Sequence, residues 1–150
     1  MTNITPQTLA GTWRLKDAYA EKDGVKQAFP LGEGTHGLIM YDDIGHMSAQ
    51  LMSHERVSFS ARTPKDIPLE EISRAYHEYT SYFGTYTLDV DAGTITHHVE
   101  GALAPQWIGG DQLRYFAFDG ATLTLTTPPM KVADGSKVVN TLVWEKASKP

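Results

Sequence analysis

The chain has 150 residues, 41% of them hydrophobic, and 13 Lys and Arg against 18 Asp and Glu give a formal charge of −5. It has no cysteine, which excludes disulfides, thiolate nucleophiles and Cys-ligated zinc or iron–sulfur centres. The basic residues are spread thinly, leaving no positive stripe for nucleic acid or an anionic membrane surface, and no run approaches the ~20 apolar residues of a membrane span.

In chain order, Thr5 and Pro6 precede a segment, Leu9 to Gly24, in which Trp13, Leu15 and Tyr19 alternate with polar residues up to an Asp23-Gly24 turn. This predicts a strand running into a hairpin. A short return, Val25 to Phe29, leads through the loop PLGEGTHG to a second predicted hairpin, GLIMYDDIGHMSAQLM, turning around Asp43, Ile44 and Gly45. Between Pro64 and Phe83 the rhythm changes: Leu69, Ile72, Ala75, Tyr76 and Tyr79 follow helical spacing, with Pro68 at the first turn and Glu70 and Glu71 near the positive end. The expectation is a helical lid, within about residues 54–82, whose Leu69, Ile72, Tyr76 and Tyr79 face the body of the fold. FGTYTLDVDAG, TITHHVEGALA, DQLRYFAFDG, ATLTLTTPP and KVVNTLVWEK then read as further strands separated by Gly and Pro turns. No repeat or linker divides the chain, so residues 1–150 are expected to form a single domain, burying about 70% of the surface of the unfolded chain. The opening MTNITPQTLAG has neither the basic nor the apolar region of a secretory leader, which with the absence of cysteine leads to an expected cytoplasmic location.

About eight short strands fit an antiparallel barrel or a sandwich, and alternation does not separate the two. Gly11-Thr12-Trp13 resembles the Gly-x-Trp opening of the lipocalin or calycin class, in which the tryptophan closes one barrel end and an arginine of a late strand packs across it. Arg114 in QLRYF would be that partner. The elements MSAQLM, FGTY, HHVEG, PQW and LVWE, in that order between about residues 9 and 146, resemble the bacterial and fungal lipocalin-like domain family. The resemblance implies an all-β fold, an antiparallel lipocalin-like barrel of about eight strands enclosing a cavity, here with one helical lid insertion.

Given a barrel, strand alternation assigns the inner face. In TITHHVEGALA the apolar Ile95, Val99 and Leu103 share a face with His97, so His97 is expected inside and His98 outside unless a bulge shifts the register. The same rule turns Trp13, Leu15, Asp17 and Tyr19 inward, together with Met47, Ala49 and Leu51, Tyr86, Leu88 and Val90, and Leu123 and Leu125. Gln50 faces inward only on a shifted register. LRYFAF stays open between Arg114, Phe116 and Phe118 on one face and Leu113, Tyr115 and Ala117 on the other. Tyr19, Met47, Gln50, Tyr86, His97 and Trp107 are the candidate ligand-binding residues. They line an apolar and aromatic pocket suited to a small hydrophobic molecule, or else fill a narrow barrel.

Other chemistries find less support. Adjacent His97 and His98 diverge on a strand and no HExxH pair exists, so no metal is expected, and no cofactor motif is legible. Ser48 near His46 lacks a nucleophile elbow, and the GEG and GGD stretches lack the helix of a phosphate loop. Two functions fit the expected cavity. One is a carrier or sensor of a small hydrophobic molecule; the other is a cofactor-independent isomerase or cyclase in which His97, Tyr86 and Asp17 move protons. An exposed barrel edge or the aromatic helix face would offer a surface for a homodimer.

Overall fold

The computed structural model describes residues 4–150. A four-residue helix α1 (Pro6–Leu9) leads into β1 (Gly11–Lys22), which turns back as β2 (Val25–Ala28). There follow β3 (His36–Tyr41), β4 (His46–Met52), α2 (Leu69–His77), β5 (Tyr79–Asp89), β6 (Thr94–Ala102), β7 (Asp111–Phe118), β8 (Thr122–Thr126), β9 (Met130–Lys131) and β10 (Lys137–Lys146). The predicted turn after β1 forms with Asp23 at φ 49° and Gly24 at φ 83°, the pair of left-handed residues that a tight hairpin needs. Among the described residues no helix is long and apolar enough to cross a membrane.

Every strand pairs antiparallel, in the order β2-β1-β3-β4-β5-β6-β7-β8-β10-β9, and β1 also pairs with β10. That last ladder closes eight of the strands into a barrel and leaves β2 and β9 as flanking ribbons. Strand β1 serves both roles: Gly11–Arg14 pair with β3, and Tyr19–Lys22 pair with β2.

One end of the barrel is shut. Thr5 and Thr8 form a reciprocal capping box around α1, which fixes the chain across that end. Ile4, Leu9 and Trp13 are fully buried there, and the Trp13 indole N–H donates to the Leu9 carbonyl at 2.8 Å. Phe118 meets Trp13 edge-on at 6.2 Å between centroids. The cation over the indole is Lys146, with Nζ 4.7 Å from the ring centroid, and its ammonium also donates to the Ala10 carbonyl. This corrects the expected Trp13–Arg114 stack. Arg114 lies directly opposite inward-facing Ile95 and so points into the barrel.

Two bulges decide which side chains face inward. Between Leu15 and Asp17 the β1–β10 register slips by one residue at Lys16, so Ala18 and Ala20 take the inner face, opposite Leu142 and Asn140. Asp17 and Tyr19, expected inside, therefore lie on the outer face, where Tyr19 carries the Lys26 ammonium 4.6 Å above its ring. Between Phe83 and Gly84 the β5–β6 register slips at Glu100. His97 and Val99 precede this bulge and are buried, whereas Leu103 beyond it is turned outward and 40% exposed. A Cβ on Gly84 would lie 1.9 Å from the His98 carbonyl oxygen, so only glycine allows the two backbones to approach this closely. Val90, beyond the end of β5, is also exposed.

The α2 helix forms close to where its spacing predicts, but it does not cover the barrel with its apolar stripe. Leu69 is 80% exposed and Ile72 and Tyr76 are partly solvated, while Tyr79 is the first residue of β5 rather than part of the helix. The helix is held instead by the preceding loop. Ser60 donates to the Glu71 carboxylate from its backbone N–H at 2.8 Å and from its hydroxyl at 2.6 Å, and Arg56 donates to the Ala75 carbonyl at 3.1 Å.

Candidate functional site

Above the closed end the barrel interior opens into a cavity of about 640 Å³. Its walls are mainly apolar: Ile39 from β3, Ala49 and Leu51 from β4, Leu125 from β8, and Leu142 and Trp144 from β10. Phe29, Pro30 and Leu31, in the loop after β2, and Pro128 and Met130 between β8 and β10 form the rim. Trp107 ends a short 3-10 turn (Pro105–Trp107) and contributes a half-buried indole to the wall, packed at a right angle to Tyr82 with centroids 5.9 Å apart.

His97 sits in the floor, 1% exposed, while His98 faces outward between Thr87 and Asp111. Both imidazole nitrogens of His97 are engaged: Nε2 lies 2.6 Å from the Tyr41 hydroxyl, and Nδ1 lies 2.7 Å from the Tyr82 hydroxyl. Burial, reinforced by the Arg114 guanidinium, pushes the imidazole from its ordinary 6.5 down to about 3, so it is neutral at physiological pH. A neutral imidazole has one N–H and one lone pair, so one tyrosine donates to it and the other accepts. Burial also raises both phenols, keeping them protonated. Tyr41 lies beneath the cavity with no other hydrogen-bond partner among the described residues. Its O–H proton is therefore best placed on Nε2, and the Nδ1–H then donates to Tyr82. In that arrangement Tyr82, a lining residue of the cavity, retains its hydroxyl proton to donate.

The Arg114 guanidinium projects from β7 into the same cavity, beside Gln112, whose backbone is paired with that of His97. It donates to the Leu113 carbonyl at 2.8 Å and to the Gln112 side-chain oxygen at 3.2 Å, and no carboxylate pairs with it among the described residues. The indole N–H of Trp144 and the amide oxygen of Asn140 are buried in the wall without a hydrogen-bond partner among the described residues.

Of the six candidate ligand-binding residues, the structure brings His97 and Trp107 to the cavity. Met47 is packed in the core below it. Tyr86 also lies below: its backbone is paired with that of His97, but its hydroxyl donates to the Asp42 carbonyl at 2.6 Å. Gln50 is on the outer face, where its side-chain oxygen accepts from the Tyr79 hydroxyl at 2.8 Å. Tyr19 is outside because of the Lys16 bulge. The triplet His97, Tyr86 and Asp17 is thus not assembled, and an imidazole held neutral down to about pH 3 is poorly matched to proton transfer near neutrality. Tyr41, Tyr82, Arg114 and Trp144 are the site residues that sequence reasoning missed. Tyr41 could have been found by applying alternation to HGLIMY, where it shares a face with Ile39, but the unbroken apolar run GLIM masks that periodicity.

A family model described as a lipocalin-like domain matches residues 10–147. The chain belongs to this lipocalin-like domain family. The lipocalin-like barrel is also similar to a curated protein of Aspergillus oryzae, the 4'-hydroxy-3'-methoxypropiophenone carrier protein ppsC, with 32% identity over 111 residues covering 67% of this chain and 96% of that one. Among solved structures, a bovine odorant binding protein in complex with a selenium-containing odorant aligns over 100% of this chain and 77% of its own, at 13% identity and a TM-score of 0.48. The odorant binding protein OBP1 aligns over 100% and 79%, at 12% identity and a TM-score of 0.45.

Proposed function

We propose that this lipocalin-like protein is a cytoplasmic carrier or sensor that holds one small hydrophobic molecule inside its barrel. The cavity of about 640 Å³ carries this reading, since its volume and mainly apolar lining match those of pockets that enclose small organic ligands. The relative named as a carrier of an aryl ketone supports the same reading, because that compound combines an apolar aromatic body with a few oxygens. The neutral, doubly hydrogen-bonded His97 supports binding over turnover. The test is fluorescence titration with 1-aminoanthracene, a neutral apolar probe. One-to-one saturable binding is expected, weakened at least tenfold by Ala49→Phe, which fills the cavity from β4. Absence of saturable binding to the folded wild type, or equal binding by a folded Ala49→Phe protein, would overturn the proposal.

A further inference from the structure

Several groups in the cavity point to what its polar part recognises. Arg114 is a half-buried cation with no ion-pair partner among the described residues, and a charge in an apolar cavity is costly unless it is compensated. Of the five N–H donors of a guanidinium, the two hydrogen bonds to Leu113 and Gln112 leave others unspent. Trp144 is 2% exposed, lines the same cavity, and its indole N–H has no partner among the described residues. The Tyr82 hydroxyl keeps a proton to give once the His97–Tyr41 pair is satisfied. Among the described residues, Asn140 contributes one buried unpartnered acceptor, its amide oxygen. Asp111, the one carboxylate on the lining, is bound at its Oδ1 to His98 on the outer face at 2.8 Å.

From these positions we infer that the cavity selects a small apolar, aromatic-sized molecule bearing one anionic oxygen, a carboxylate or a phenolate, which seats against the Arg114 guanidinium. The inference rests on the ligand-binding reading and refines it from any hydrophobic molecule to an amphipathic anion. Charge-assisted hydrogen bonds to a guanidinium are stronger than neutral ones and favour the anion over a neutral isostere. The half-buried indole of Trp107 and the aliphatic walls of Leu51, Leu125 and Leu142 then accommodate the apolar body.

The experiment compares 2-naphthylacetate with its uncharged isostere 2-naphthylacetamide by calorimetry at neutral pH. In a second arm, the visible absorbance of 4-nitrophenol reports whether the bound form is the phenolate. Both are measured on wild type, Arg114→Gln and Arg114→Lys, with thermal melting to confirm folding. Wild type is expected to bind the carboxylate at least tenfold more tightly than the amide, or to shift 4-nitrophenol towards its phenolate. Either preference should vanish in Arg114→Gln and persist in part in Arg114→Lys. If the amide binds as tightly as the acid and 4-nitrophenol shows no shift, the anion inference is overturned and hydrophobic binding stands. A preference that survives in Arg114→Gln overturns the role of Arg114, and loss of 1-aminoanthracene binding by wild type overturns both readings.

Discussion

The Tyr41 hydroxyl and the His97 Nε2 meet at 2.6 Å beneath the cavity floor, joining β3 to β6 across the barrel interior. Tyr41 is 3% exposed and His97 1%, so neither group can exchange its partner for bulk water. Tyr41→Phe would leave an imidazole nitrogen buried and unsatisfied, a loss of about 1–3 kcal/mol. Tyr82→Phe should cost less, because Tyr82, unlike Tyr41, lines the cavity, and removing its hydroxyl opens a place beside the freed nitrogen that a cavity water can take. Urea melts of the two variants check the order; equal losses would place Nδ1 and Nε2 in equivalent surroundings.

The depressed basicity of His97 has a definite sign in the dependence of stability on pH. The folded imidazole remains neutral down to about pH 3, whereas the unfolded one takes up a proton below its ordinary 6.5. Protons therefore favour the unfolded chain, and stability falls by about 1.4 kcal/mol per pH unit as pH drops through this window, with no contribution above it. His97→Gln removes the titration, so the slope of stability between pH 6 and pH 4.5 should flatten by roughly that amount relative to wild type, whatever the variant's absolute stability. Parallel slopes would show that His97 charges in the folded state.

At the closed end, Trp13→Ala should cost about 3–5 kcal/mol through the void left among Leu9, Phe118 and Ile39. Lys146→Met should cost no more than about 1 kcal/mol, the usual range for a partly solvated cation over an aromatic ring. Arg114→Gln should leave the Trp13 indole resonance unmoved in an NMR spectrum, since the arginine occupies the cavity instead.

Gly84 and Gly101 offer a contrast within one ladder. A methyl on Gly84 would meet the His98 carbonyl at 1.9 Å, a backbone atom that cannot yield, and Gly84→Ala is expected to destabilise by about 3 kcal/mol or more. On Gly101 it would meet the Phe83 ring at 2.5 Å, but that ring is 55% exposed and free to swing away. Gly101→Ala should cost about 1 kcal/mol or less. Paired thermal melts decide it, and a Gly84→Ala protein as stable as wild type would mean the β5–β6 bulge can relax.

The order of strands was legible in the chain because Gly and Pro turns separate runs of β-branched and aromatic residues. Strand β9, with only Met130 and Lys131, was too short to leave a pattern. Alternation placed His97 on the inner face because its segment of β6 runs unbroken up to Glu100. It misplaced Asp17, Tyr19 and Leu103, each lying beyond a bulge, and a bulge depends on pairing with another strand rather than on local composition. Arg114 stayed ambiguous for a related reason: both faces of LRYFAF are largely apolar, and only its register against Ile95 resolves them. The helical period of α2 was readable, but the period reports which residues share a face and not what that face meets.

The ladder between β1 and β10 also constrains how the protein can be made. It joins strands from opposite ends of the sequence, and Lys146 reaches the Ala10 carbonyl across 136 positions. Seven of the eight barrel strands can pair with a neighbour already synthesised, but the seam cannot form until β10 has left the ribosome. Until then β1 and β8 are open edges flanking an unfilled apolar interior, the kind of surface that recruits other strands. Closure of so distant a pair is slow to nucleate, which makes β10 the natural timekeeper of folding. A nascent chain arrested before Lys137 would carry every group of the His97 floor and still have no container.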